Sequence, residues 1–166
     1  MVLAAVPWCA AASSSLVDLL LPRPQEVIEG SGAAFRFGPG DVQILVAGES
    51  EEACARLRSR WHETAARLPF AWPEGSASTT LTRGWFGGNG YGFVIARGEP
   101  VYGGKPSLAR AFRGEGYELR VGADSVEVRA CSERGAFYGL MTLEQLLRLS
   151  RAGAGFSLSP MTIRDW

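Results

Sequence analysis

The sequence predicts an α+β fold, a mostly antiparallel sheet with two helices packed on one face. Three observations predict it. Residues 51–68 and 133–149 each follow a serine and repeat apolar side chains at three- and four-residue steps, the period of a half-buried helix. Short runs elsewhere alternate apolar and polar residues, the period of a strand. Taken in order these give β, β, α, β, β, β, α, in a chain of 166 residues that is 46% apolar and 20% charged and so long enough to bury a core.

The chain opens with "MVLAAVPWCAAASSS", residues 1–15. This leader has the apolar length and small-residue end of a signal segment, lacks a Lys or Arg ahead of its core, and is interrupted by Pro7. On balance it points to a secreted or periplasmic location, and it is too short to span a bilayer. In "LVDLLLPRPQEVIEGSG" the prolines Pro22 and Pro24 exclude helix and set an extended opening segment that ends at the Gly30–Gly32 turn. Two strands follow at 34–37 and 42–47, separated by "GPG"; the second is almost continuously apolar, as a strand covered on both faces would be.

Ser50 caps the first helix, with Glu51 and Glu52 in its first turn. Cys54, Leu57, Trp61, Ala65 and Leu68 form its inner stripe, and Pro69 and Pro73 close it. Residues 79–82 and 93–96 read as strands around a glycine loop, within a region, 84–116, that should be rich in turns. "GYELRVGADSVEVRA" is the clearest hairpin: Tyr117, Leu119, Val121, Val126, Val128 and Ala130 on a dry face, and Glu118, Arg120, Glu127 and Arg129 on a charged, solvated one. Ser132 caps the second helix, whose buried stripe is Ala136, Leu140, Leu143 and Leu147, widened by Phe137 and Met141. Gly135 and Gly139 lie one turn apart in it. Each costs about 1 kcal/mol of helix stability relative to Ala, so the pair implies close approach by a neighbour.

Composition excludes several functions. Formal net charge is zero and Lys105 is the only lysine, so no concentrated positive surface exists for nucleic acid or an anionic membrane. Cys9, Cys54 and Cys131 are odd in number and far apart, and His62 is the only histidine. A zinc site or disulfide framework is therefore unsupported, and Cys54 and Cys131 read as buried free thiols.

Candidate chemistry fails motif by motif. "GWFGGNGYG" has neither GxGxxG before a helix nor GxxxxGK[ST]. "HETAA", residues 62–66, has Ala66 where a zinc helix needs its second histidine. No GxSxG elbow or Cys–His pair accompanies His62. Glu51, Glu52, Glu115, Glu118 and Glu127 sit at solvated positions rather than as a facing pair. No catalytic residue, metal ligand or cofactor site is assigned.

The last six residues, "MTIRDW", look like the start of a strand with nothing after it to pair with. Residues 116–147, "GYELRVGADSVEVRACSERGAFYGLMTLEQLL", resemble the small domain that precedes the catalytic barrel in β-N-acetylhexosaminidases of glycoside hydrolase family 20. The matching residues are Gly116, Tyr117, Leu119 and Val121, then Gly135, Phe137, Tyr138, Gly139, Thr142, Leu143, Gln145, Leu146 and Leu147, with Met141 in place of the usual Gln. "LLPRPQEV", residues 20–27, resembles the family's opening LLP.P.EV, and "MTIRDW" resembles the segment leading into the first barrel strand. Between residues 73 and 114 the glycine-rich insertion departs from the pattern.

The resemblance implies a domain over 16–160 that is zincin-like without the metal site, with 161–166 beginning a (β/α)8 barrel. In the family the barrel removes terminal N-acetylglucosamine or N-acetylgalactosamine, using the substrate's acetamido oxygen as nucleophile, an Asp to orient it and a Glu as general acid. None of those groups has a counterpart here. The implied partners are that barrel and, through it, amino-sugar glycans. Two alternatives stand beside this reading. One is the same domain from an O-GlcNAc hydrolase, α-N-acetylglucosaminidase or α-glucuronidase. The other is a free-standing carbohydrate-binding module that stacks sugars on Trp85, Phe86 and Tyr91.

Overall fold

Both helices begin at the serines the sequence nominates. The computed structural model describes residues 16–70, 72, 77–79, 90–97 and 114–166. Ser50 Oγ accepts from the Ala53 N–H at 3.2 Å and opens α1, Glu51–Arg67; Ser132 Oγ accepts from the Gly135 N–H at 3.0 Å and opens α2, Glu133–Leu149. Each serine has extended backbone, so the helix starts in one step and its first free N–H groups find an acceptor.

The described residues also form ten strands: β1 Glu26–Glu29, β2 Phe35–Phe37, β3 Gln43–Ala47, β4 Ala77–Thr79, β5 Tyr91–Ala96, β6 Tyr117–Val121, β7 Ser125–Ala130, β8 Arg151–Ala152, β9 Gly155–Leu158 and β10 Met161–Asp165. Seven form one sheet in the order β1-β10-β6-β7-β5-β3-β4. Its pairs are antiparallel except β3 with β4, which is parallel. The remaining three, in the order β2-β9-β8, form a small second sheet.

One face of the large sheet carries Ile44, Val46, Phe93, Ile95, Val126, Val128, Leu119 and Ile163, all buried in a single cluster with Cys54, Leu57 and Trp61 of α1 and Ala136, Leu140, Leu143 and Leu147 of α2. Both helices therefore lie on that face. Phe35, Phe37 and Phe156 of the small sheet extend the same core, with Phe37 and Phe156 centroids 5.4 Å apart. Each such side chain contributes about 1.5–3 kcal/mol on leaving water. The continuously apolar β3 is covered on both faces, and Leu45 joins Val94 and Ala96 in a small cluster on the far side.

Several expectations need correction. A 3₁₀ turn, Leu16–Leu19, precedes the prolines that were to keep the opening segment extended throughout. The hairpin β8–β9 is unforeseen; Gly153 at φ +59° turns it, and Phe156 and Leu158 bury its inner side. The sheet does not stop at residue 160. β10 lies between β1 and β6, with Ile163 opposite Val27 on one side and Leu119 on the other. Met141 is exposed, because α2 turns its Gly135–Gly139 side, not its Met141 side, against the sheet. Cys54 is buried, which raises its thiol pKa, whereas Cys131 is only half-buried.

The charged face of the hairpin also differs from expectation. Glu118 and Arg129 are buried at 3% and 7% exposure. Pairing register places Glu26, Arg164, Glu118 and Arg129 side by side across four strands, with alternating sign. Arg164 Nε donates to Glu118 at 2.8 Å and its Nη1 to Glu26 at 3.1 Å, while Arg120 Nε lies 2.7 Å from Glu118. Long guanidinium stems laid across the strands cover carboxylates that alternation alone assigns to water.

Candidate functional site

The family-type motif residues converge where α2 crosses the β6–β7 hairpin. A methyl built on Gly135 would collide with the Gly116 carbonyl oxygen and meet Ala130 Cβ at 3.1 Å. One on Gly139 would collide with Val128 Cγ1 and lie 3.2 Å from the Tyr117 ring. The two glycines thus let the helix backbone rest on the hairpin, which is the close approach their cost implied. Beside them the buried Tyr117 hydroxyl and Thr142 Oγ1 share a hydrogen bond of 2.6 Å. Burial pushes the Tyr117 phenol up to about 12, so it stays neutral and serves as a strut rather than an acid.

Leu143 and Leu147 are fully buried beneath the helix. Phe137 is half-buried, with the Arg60 guanidinium 4.5 Å above its ring. Tyr138 points outward, exposed. It lines a cleft of about 340 Å³ together with Leu21, Pro22, Tyr117, Met141 and Trp166. One wall is held by Gln145, whose side-chain amide accepts from the Leu21 N–H and donates to the Leu21 carbonyl, both at 2.9 Å. The amide thereby pairs with that peptide as a neighbouring strand would. Gln25 Nε2 donates to the carbonyl of Trp166, another of the lining residues.

The cleft was not read from the sequence. Its signal is a second row on α2 beside the core stripe, Tyr138, Met141 and Gln145, of which the first two are apolar. A helix fully solvated on that side would not carry it.

Reacting groups do not gather here or elsewhere among the described residues. Glu115 is paired with Arg134 at 2.7 Å, and Glu133 with Arg56 at 2.6 Å, which lowers the Glu133 pKa. Arg129 takes up Glu127. Glu144 accepts from Arg67 and Arg148, and the Thr64 hydroxyl is 3.4 Å away. His62 is exposed on α1. No group of three His, Cys, Asp or Glu that could hold a metal occurs among the described residues, nor does a helix long and apolar enough to cross a membrane. Of the aromatic residues assigned to sugar stacking, Trp85 and Phe86 lie outside the described residues. Tyr91 is in β5, half-buried, with its hydroxyl on Glu49 at 3.3 Å.

Comparisons with known proteins set this arrangement in context. The family model described as glycosyl hydrolase family 20, domain 2, matches residues 19–166. No curated protein matches the chain. Among solved structures, a β-N-acetylhexosaminidase from Bacteroides fragilis is similar with a TM-score of 0.52 and 18% identity, over 91% of this chain and 25% of that one. A glycoside hydrolase family 20 β-N-acetylglucosaminidase gives 0.44 and 23%, over 87% and 21%. A chitobiase from Flavobacterium johnsoniae gives 0.45 and 19%, over 88% and 20%. The chain therefore spans a quarter or less of the length of these enzymes.

Proposed function

Since the chain belongs to glycosyl hydrolase family 20, domain 2, we propose that it is the non-catalytic N-terminal domain of a β-N-acetylhexosaminidase. It supports a (β/α)8 barrel, in the same polypeptide after Trp166, that hydrolyses terminal N-acetylglucosamine or N-acetylgalactosamine. The match over residues 19–166 carries this reading, because it takes in almost every described element. The site chemistry supports it. Hydrolysis with the acetamido group as nucleophile needs an orienting carboxylate and a general acid facing one sugar. Here Glu115, Glu127, Glu133 and Glu144 are each bound to arginine, and Tyr117 is fixed as a neutral strut. What the fold offers instead is a stiff platform: helices anchored by glycine contacts on a sheet crossed by ion pairs.

The test compares two proteins, residues 1–166 and the natural polypeptide read on past residue 166. The longer one is expected to release chromophore from a chromogenic N-acetylglucosaminide, and the shorter one to release none. Turnover by purified 1–166, or a natural polypeptide with no barrel beyond residue 166, would overturn the assignment.

A further inference from the structure

β10 is tied to its two neighbours in different ways. On the β1 side, the Gly30 N–H donates to the Pro160 carbonyl at 2.8 Å, and Gln25 Nε2 donates to the Trp166 carbonyl. On the β6 side, the side-chain link is Arg164 Nε to Glu118, at 2.8 Å. We propose that this ion pair is the register lock of β10: of two strand pairings that the apolar pattern accepts, it selects the one that sets where the polypeptide leaves the domain. The lock is a property of this chain alone; that a catalytic barrel is what departs there rests on the function proposed above.

Ladder hydrogen bonds repeat every two residues, so an antiparallel strand displaced by two keeps both its bonds and its inner face. In the structure Met161 stands opposite Val121, Ile163 opposite Leu119 and Asp165 opposite Tyr117. Displaced by two in one direction, Asp165 would face Leu119 in the core and Arg164 would face Arg120; burial and like charge oppose that pairing. Displaced in the other direction, Met161 would face Leu119 and Ile163 would face Tyr117, so apolar side chains still enter the core. Pro160 is no barrier to it. Its carbonyl is directed at β1, and its missing N–H lies on that same side, away from β6.

What the second pairing lacks is matched charge. Thr162 would stand opposite Glu118, and Arg164 opposite Gly116. Glu118 is buried, and it would be left to Arg120, its neighbour on the same strand. Separating a buried carboxylate from the arginine laid across it is strongly unfavourable, and fixing register is the best-attested role of buried polar groups. Arg164 also reaches Glu26 of β1 at 3.1 Å, so one guanidinium indexes three strands. A displacement of two residues would move the exit at Trp166 by about 6–7 Å along the sheet.

The test moves the arginine and asks whether the strand follows. In the natural polypeptide, Thr162→Arg combined with Arg164→Thr keeps the composition of β10. It places a guanidinium opposite Glu118 only in the displaced pairing; in the original pairing that group would oppose Arg120. With methyl-labelled leucine, isoleucine and methionine, the strongest cross-strand nuclear Overhauser contact of Leu119 is expected from Ile163 in the parent and from Met161 in the double variant. The double variant has a pairing that satisfies its charges, so it is expected to retain a cooperative thermal transition. An Ile163 contact retained in the double variant would overturn the proposal, because the strand would then be indexed without the arginine. Loss of the cooperative transition would overturn it as well, because the displaced pairing would not be a state the chain can hold. The readout is a distance within this chain, so it is separate from the outcome of the hydrolysis assay.

Discussion

At the scale of single residues, Gly139 shows how context reverses a propensity. In an open helix, alanine is better than glycine by about 1 kcal/mol. Here the added methyl would enter the space of Val128 Cγ1 and press on Tyr117, and overpacking of that kind costs about 1–3 kcal/mol. Because the clash with Val128 is severe, the cost lies at the upper end of that range, and Gly139→Ala is expected to lower the unfolding free energy by about 2 kcal/mol once the helix gain is subtracted. Val128→Ala in the same chain should recover part of the loss, as a urea titration of the four variants would register. A neutral or stabilising Gly139→Ala would refute the close contact. The pair Gly135/Gly139 was legible because glycine spaced at one turn has an energetic cost that demands a reason. Glu118 was not, because period-two alternation identifies an outer face without indicating that Arg164 and Arg120 lie across it.

At the scale of elements, Glu144 ties the two helices together. Arg67 of α1 donates to it at 2.8 and 3.1 Å and Arg148 of α2 at 3.1 and 3.2 Å. The hydrogen bond from Arg67 is the chief reason its carboxyl stays below the usual range; burial opposes it and the Arg148 contacts add to it. A carboxyl with a depressed folded pKa stabilises the fold above its unfolded pKa of about 4.3, and that contribution is lost as pH falls through the lower folded value. Glu144→Gln should cost about 1–2 kcal/mol at neutral pH, with the partly exposed arginines limiting the loss. It should also flatten the fall of melting temperature below about pH 4. An acid limb as steep as the parent's would count against the clamp.

The helices themselves were clear from the sequence, since Ser50 and Ser132 combine caps with strong apolar periods. The β8–β9 hairpin was not, because Arg151–Ala152 is too short to show alternation and only Phe156 and Leu158 mark its buried side.

At the scale of the molecule, the decisive element is β10. The sequence presents it as the beginning of something else; the structure uses it as an inner strand, with Met161 and Ile163 in the core. Nothing local distinguishes the two uses, for both require the same alternating, β-branched run, and only the register with Val27 and Leu119 separates them. A chain ending at residue 160 would strip β1 from the sheet and deprive the buried Glu118 of its Arg164 partner. It is expected to lose the cooperative thermal transition seen by far-ultraviolet circular dichroism in the chain ending at 166. An unchanged transition would remove β10 from the stabilising framework.

That placement has a consequence for biosynthesis. Among the described residues β1 pairs with no strand except β10, and the paired residues Glu26 and Arg164 are separated by 138 positions. A ribosome adding roughly 5–20 residues per second leaves the nascent segment waiting for about 7–28 s before its mate has been made. Throughout that interval Val27 and Ile28 travel as a loose ribbon, and the flanking Pro22, Pro24, Glu26 and Glu29 are the kind of residues that discourage a passing chain from adhering to it.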